Sequence, residues 1–450
     1  MIESRSPQAP GDLVLRVPEA GPRAVVAAVE RARAAQRAWA ADAPARSAAL
    51  TAAAAAVEAA AEELARLVVR EVGKPVTEAR GEVARSVAIL RYYAQQVFDP
   101  TGAVHEGAGP GLLFTRRRPR GVAGLITPWN FPLAIPLWKA APALAFGNAV
   151  VLKPAPEATA CAARLDELIG GLLPDGLFSV VPGDAAEGEA LAGTADVVSF
   201  TGSVAVGKAV AGAAAARGVP VQAEMGGQNP AVVLPDADVE RAAAQIAAAA
   251  MGYAGQKCTA TKRVIAVGPA AGDVADALVA AVEKLAVGDP AHPDTVVGPV
   301  VSAAARERVL ASTEGGRVLS GGRAVAGEGH FVAPTVVADA PEGHVLAHEE
   351  VFGPVCLVQR APDAETALAL ANGVRFGLVS AVHTRDLDAA LRLGARLETG
   401  MVKVNAPTAG VDFHLPFGGE KDSSYGPREQ GKAAQEFYTS SHTFTLAPGV

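Results

Sequence analysis

The sequence predicts an α/β protein built on parallel sheets, and three observations carry that prediction. Short apolar runs alternate with helical stretches from about residue 120 to 225, the pattern of strands joined by crossover helices. A second series of the same kind starts near Pro230. The chain also has 450 residues and 50% hydrophobic content, enough for two or three domains with proper cores.

The elements follow in order. The opening, MIESRSPQAPGDLV, lacks the long apolar stretch of a signal peptide. No window holds the roughly 20 apolar residues of a membrane span. Residues Gly21 to Gly73 read as helices. Within LTAAAAAVEAAAEELARLVVREVGKP, Leu50, Val57, Leu64, Val68 and Glu71 form a stripe at helical steps. Gly73 and Pro75 then stop the helix. The alanine runs are not low complexity, because Glu and Arg fall off the stripe at helical spacing. FTRRRPRG, residues 114–121, places three successive arginines on a solvated strand or an interface. Beyond it, VAGLI, AVVLK, LFSVV, DVVSF and VPVQAEM read as strands, and PLWKAAPALAFG and ATACAARLDELIGGLL as helices between them. The second series offers NPAVVL, KRVIAV, VLSGG, VCLVQ, VSAVH and GMVKVN. The last stretch, EFYTSSHTFTLAPGV, reads as an extended tail or late strand.

Charged residues make up 19% and the formal net charge is −7, so there is no nucleic-acid footprint. A local basic pocket for a small anion remains compatible with that charge. The three cysteines, Cys161, Cys258 and Cys356, are far apart and form no CxxC pair, which argues against a disulfide framework and a zinc site. The expectation is a soluble cytoplasmic protein with no metal and no membrane partner.

Chemistry concentrates around Cys258. A lone cysteine is often just a buried small side chain, and Cys161 in a helix and Cys356 in VCLVQ keep that reading. Cys258 stands instead in YAGQKCTATKRVI, after Gln256 and Lys257. Four other segments keep it company. In LITPWNFPL, Asn130 either caps the next helix or offers an amide N–H to an oxyanion. In AVVLKPAPEAT, Lys153 ends an apolar run, as a solvated tip or a ribose or phosphate ligand. In VVSFTGSVAVGKAV, a strand runs through Gly202 and Ser203 into a helix start, where backbone N–H groups can hold a pyrophosphate. In VQAEMGGQNP, Glu224 ends a strand before two glycines, placed for a general base acting through water. A fifth segment, HEEVFGPV, carries an acidic pair and a Phe-Gly-Pro turn.

Together and in this order these segments resemble the NAD(P)-dependent aldehyde dehydrogenase superfamily, from about Ala24 to Thr443. The shared marks are FTGS, EMGGQNP, GQKC, EEVFGP and PFGG, with 34 residues from Glu224 to Cys258 and 23 from Asn130 to Lys153. The resemblance implies an aldehyde dehydrogenase fold: a Rossmann-like coenzyme domain, an α/β catalytic domain and a small β oligomerisation arm. It places the coenzyme domain at 1–106 and 120–226, the catalytic domain at 227–408, a returning substrate loop at 409–437, and the arm at 107–119 and 438–450. It implies NAD or NADP as cofactor, a small aldehyde as substrate, and a homodimer or homotetramer. By the same resemblance Cys258 is the nucleophile, Asn130 and the Cys258 backbone N–H hold the oxyanion, and Glu224 is the base that releases the acid. Lys153 binds the adenosine ribose, Gly202 and Ser203 the pyrophosphate, and Glu350 with Phe352 the nicotinamide ribose side, while Trp129 lines the channel between them.

Three departures bear on specificity. Pro156 stands where many NAD-preferring members carry a ribose-binding glutamate, and Glu157 follows one place late, which leaves NADP open. VPGDAAEGEAL lacks a second glycine after Gly183. NAPTAGVDFHLPFGGEKDSSYGPREQG looks most like the 2-oxoglutarate semialdehyde (2,5-dioxopentanoate) dehydrogenase branch, which implies an anionic aldehyde; Glu420 and Asp422 depart from that pattern and admit a biosynthetic or phosphonate aldehyde. His414 is a candidate substrate contact. The two remaining classes are a coenzyme-free thiol esterase, which the absence of a histidine near Cys258 disfavours, and a non-catalytic scaffold, which intact Cys258, Glu224 and Asn130 disfavour.

Overall fold

A computed structural model describes residues 1–99 and 101–447. Pro100, in the expected coenzyme unit, and residues 448–450, in the expected arm, lie outside the described residues.

The first series of runs forms five parallel strands. Val122–Ile126 is central, with Ala149–Lys153 and then Phe178–Val180 on one side, and Val197–Thr201 and then Val221–Glu224 on the other. Strand order therefore reverses at Val122–Ile126, and the carboxyl ends flanking such a switch point form the ligand crevice of an open α/β sheet. Asn130, Lys153, Gly202, Ser203 and Glu224 all lie on or just after those ends. Helix Ala134–Ala145 is buried along its whole length, which fits its nearly continuous apolar sequence.

The second series forms a seven-stranded sheet: Arg317–Ser320, Thr335–Ala338, Val355–Ala361, Thr261–Val267, Asn229–Val233, Val379–His383 and Met401–Val404. All neighbours are parallel except the first pair. Thr261–Val267 is buried throughout, so its polar start, Thr-Lys-Arg, must find partners inside. Arg263 does so by donating to the carbonyls of Gln228, Leu370 and Ala371.

The N-terminal helical region is three helices, Pro22–Ala41, Ala43–Ala59 and Ala61–Val72. The predicted stripe residues Leu50, Val57, Leu64, Val68 and Glu71 are all buried, although the helix breaks at Ala60. Gly73 ends it at φ 66°, and Pro75 caps the next helix, Val76–Gln96. An N-terminal strand pair, Ile2–Arg5 with Leu13–Val17, precedes them.

The segment after Asn405 forms a small two-stranded sheet of its own and adds an edge to the first large sheet. Glu420–Lys421 pairs with Phe376–Gly377, and Ser424–Tyr425 adds an antiparallel edge to Val221–Glu224, with Ser424 opposite Glu224. Thr439–Leu446 pairs along Leu112–Pro119, which also takes Val104–His105. The arginine run thus lies in a strand, and Phe114 stacks on Phe444 across it at 4.7 Å. Among the described residues no helix is long and apolar enough to cross a membrane.

Candidate active site

Cys258 reaches its place through an unusual turn. Helix Val239–Met251 ends, and Tyr253, Ala254 and Gly255 follow at φ 54°, 53° and 64°. Two non-glycine residues in succession in the left-handed region cost about 1–3 kcal/mol each, so surrounding contacts must hold them. Tyr253 supplies them: it is fully buried, its N–H donates to the Val296 carbonyl, and its hydroxyl donates to the Val72 carbonyl at 3.3 Å. Gly255 has no alternative, because a Cβ there would lie 2.1 Å from the Gly353 carbonyl oxygen. Gln256 is wholly buried and pins the loop to Pro299 and Val301. Cys258 follows, partly exposed, and its carbonyl accepts from Asn229 Nδ2 at 2.7 Å.

Asn130 points at this loop. Its Nδ2 donates to the Gln256 carbonyl at 3.1 Å, so it does not cap the following helix. One amide N–H is used there and a second is left over.

Glu224 is buried. Its carboxylate accepts from Gln222 Nε2 at 3.0 Å and from the Ser424 hydroxyl at 2.5 Å. Burial, reinforced by the nearby Glu429 carboxylate, pushes its pKa up to about 8. Behind it runs a continuous hydrogen-bonded chain. The Gln222 amide oxygen accepts from Ser199, Ser199 accepts from Lys139, and Lys139 pairs with Glu429. Sequence reading did not single out Gln222, Ser199, Lys139 or Glu429. Each sits in an ordinary apolar strand or helix or in a loop, and only the fold joins them.

The Cys258 thiol is pushed up as well, first by burial and then by the charges of Glu350, Glu224 and Glu429. Lys257 gives no help, because its ammonium is paired with Glu78 at 2.7 Å. The neighbour in sequence is not a neighbour in electrostatics.

The coenzyme-side candidates gather along the same edge. Trp129 and Phe352 meet edge to face at 5.7 Å. The Glu350 carboxylate accepts from Gly227 N–H at 3.1 Å, and burial raises its pKa to about 7. A Cβ on Gly226 would lie 2.0 Å from that carboxylate, and one on Gly227 would lie 2.9 Å from the Cys258 carbonyl oxygen. The two glycines of EMGGQNP are therefore required by close approach. Lys153 is buried rather than solvated, and donates to the Gly183 carbonyl at 3.0 Å. Asp184 and Glu187 form a capping box that orders the Gly183 loop. Gly202 N–H donates to the Glu224 carbonyl, and Ser203 caps helix Val204–Ala216. A buried lysine, a helix N-terminus and an aromatic pair on one crevice fit a dinucleotide.

His414 is exposed on its loop, beside Phe413. Glu420 and Asp422 are taken up in ion pairs, with Arg428 and with Lys208 and Arg375. Cys161 and Cys356 are buried.

A switch-point crevice with a thiol on one wall and a buried carboxylate behind it defines a coenzyme-dependent oxidoreductase. The chain belongs to the aldehyde dehydrogenase family, whose model matches residues 1–444, and it is an NAD(P)-dependent aldehyde dehydrogenase. It is 38% identical over 463 residues to the alpha-ketoglutaric semialdehyde dehydrogenase of Bacillus subtilis (strain 168), covering all of this chain and 95% of that protein. It is 40% identical over 445 residues to a betaine aldehyde dehydrogenase of Cereibacter sphaeroides, with 96% and 91% covered. The crystal structure of an NAD-dependent aldehyde dehydrogenase from Sinorhizobium meliloti superposes with a TM-score of 0.96 at 35% identity, covering 100% of this chain and 92% of that one.

Proposed function

We propose that this chain oxidises an anionic semialdehyde of the 2-oxoglutarate type to its acid with NAD(P)+, through a covalent bond to Cys258. The observation that supports this chemistry is the bond from Asn130 Nδ2 to the Cys258 loop at Gln256, with Glu224 near enough for its charge to act on the Cys258 thiol. The relative in Bacillus subtilis, named for a semialdehyde, supports the substrate class.

Each residue then has one task. The partly exposed Cys258 thiol gives its proton to water, and the thiolate attacks the aldehyde carbon. The oxygen that becomes negative is held by the free Asn130 amide N–H and the Cys258 backbone N–H, and one such donor is worth about 3 kcal/mol. Bound NAD(P)+ supplies the acceptor for the hydride that leaves this carbon, and the carbon remains on Cys258 as a thioester. Glu224 takes a proton from water, the hydroxide adds to the thioester, and the acid leaves as the thiolate is regenerated. Gln222, Ser199 and Lys139 form a line of donors directed at that carboxylate and hold it in place from behind, with Lys139 paired in turn to Glu429.

Lys153 would hold the adenosine ribose of the bound coenzyme and the helix N-terminus after Gly202 and Ser203 its pyrophosphate. Glu350 and Phe352 would position the nicotinamide ribose, with Trp129 against Phe352. The strands Leu112–Pro119 and Thr439–Leu446 form the arm through which two or four copies assemble.

A cationic aldehyde is the second reading, favoured by the 40% identity to a betaine aldehyde dehydrogenase. Purified protein given NAD+ or NADP+ with anionic, neutral and cationic aldehydes separates the two by the near-ultraviolet absorbance of reduced nicotinamide. The highest kcat/KM is expected with an anionic semialdehyde. A preference for the cationic aldehyde reverses the assignment, and no reduction with any aldehyde removes it.

A further inference from the structure

Strand Thr261–Val267 opens with a lysine to which the reaction gives no task. Lys262 is buried, and its ammonium donates to two carbonyls, those of Gly255 at 2.9 Å and Gly353 at 3.2 Å. Both carbonyls belong to segments that bring nucleophile and coenzyme together. Gly255 stands in the left-handed turn that delivers Cys258, and Gly353 closes the loop that carries Glu350 and Phe352. The segments touch, because a Cβ on Gly255 would lie 2.1 Å from the Gly353 carbonyl oxygen. Yet among the described residues no backbone hydrogen bond joins them. The polar tie between them is the Lys262 side chain.

Tying two carbonyls together does not by itself call for a charge. A neutral donor would do so without the cost of withdrawing an ammonium from water. Among the described residues Lys262 has no carboxylate at ion-pair distance, and its two hydrogen bonds go to carbonyls. Burial pushes its pKa down to about 8, while the charge of Glu350 favours the ammonium and Cys356 acts beside it. The Phe352 ring lies 5.9 Å away, within cation–π reach. Glu350 is the other half of the arrangement. Burial raises it, whereas Gly227 N–H, Lys262 and Arg375 favour its ionised form. The Cys258 thiol, on which the Glu350 charge acts, completes the titratable groups around it. Arg375 is shared between Glu349 and Asp422, so Lys262 is the cation left to Glu350.

We propose that Lys262 is a positioning residue for the coenzyme: its ammonium clasps the loop of Glu350 and Phe352 to the turn of Cys258 and presents its charge to Glu350. This rests on the reading of Glu350 and Phe352 as the holders of the nicotinamide ribose, and it names the residue that keeps them in place. An ionised carboxylate is acceptor-only and can receive both ribose hydroxyls, whereas a protonated one cannot receive them as well. Without the ammonium, Glu350 loses the charge that favours its accepting form, and its loop loses the tie to the nucleophile.

The test is calorimetric titration of coenzyme alone, NAD+ or NADP+ as the wild type prefers, on both sides of neutral pH. The wild type should bind more tightly as pH rises through about 7, where Glu350 ionises. Lys262→Met should weaken binding about 10-fold at neutral pH, as loss of a nearby opposite charge does to a carboxylate. That gap should narrow above about 8, where wild-type Lys262 is itself neutral. Lys262→Gln, which keeps N–H donors without the charge, replaces the Met variant if the latter does not fold. Glu350→Gln should bind weakly at every pH. A Lys262 variant that binds like the wild type, beside a weakened Glu350→Gln, overturns the role of Lys262 alone. A loss of equal size at every pH assigns Lys262 to packing and overturns it too. Wild-type affinity in Glu350→Gln overturns the ribose reading of Glu350 and this proposal with it.

Discussion

Burial opposes a thiolate at Cys258, and the charges of three carboxylates add to it from different elements, Glu350 on a connecting loop, Glu224 at a strand end and Glu429 near the C-terminus. The resting thiol is thus held protonated at neutral pH. Alkylation of the coenzyme-free protein should therefore be slow and accelerate with alkali, and mass spectrometry should find the label on Cys258, since Cys161 and Cys356 are buried. Cys258→Ala should abolish turnover, whereas Cys161→Ala should keep it. Glu224 carries the opposite problem, for a base must be ionised. Its pKa near 8 means the ionised fraction grows as pH rises, and acid release should accelerate through that value. Glu224→Gln should form the thioester and stall, seen as one burst of reduced nicotinamide; a normal steady rate sinks its assignment. The same shift acts on stability with the reverse sign. Between 4.5, its ordinary value, and about 8 the folded chain holds a proton that the unfolded chain has released, so this group's stabilisation fades as pH rises.

At the scale of elements, the turn from Met251 to Cys258 is the costly one. Gly255→Ala should destabilise the protein by more than about 1 kcal/mol and depress activity, since both its positive φ and the Gly353 carbonyl forbid a side chain. Ala254→Gly should stay within about 1 kcal/mol of wild type, because it relieves a left-handed alanine (φ 53°) while freeing the unfolded chain. Thermal melts of the two variants check both. The turn itself was legible only as a glycine-containing approach to Cys258; the strain at Tyr253 and Ala254 comes from the packing of Tyr253, which has no local signature. Strands declared by β-branched runs, such as Ala149–Lys153 and Thr261–Val267, could be read directly. Thr335–Ala338 could not, being a four-residue run within the six residues between Pro334 and Pro341, and it becomes a strand by lying parallel to Val355–Ala361.

Across the whole molecule, the sequence reveals the candidate site residues and hides their partners. Cys258, Asn130 and Glu224 stand in marked segments, whereas Lys139 finds Glu429 at a separation of 290 residues, and no local pattern announces that. The paired strands Leu112–Pro119 and Thr439–Leu446 expose Leu112 and Leu446, and ending the chain at Tyr438 would leave the first strand with a bare edge. Size-exclusion chromatography with light scattering should then give a lower assembly mass than the full chain; an unchanged mass argues against an arm. Ser424 meets Glu224 across 200 residues, and this has a consequence during synthesis. A ribosome must nearly finish its message before Glu224 acquires this partner, so a prematurely terminated product would keep an unzipped sheet margin at Val221–Glu224, open to proteolytic clearance.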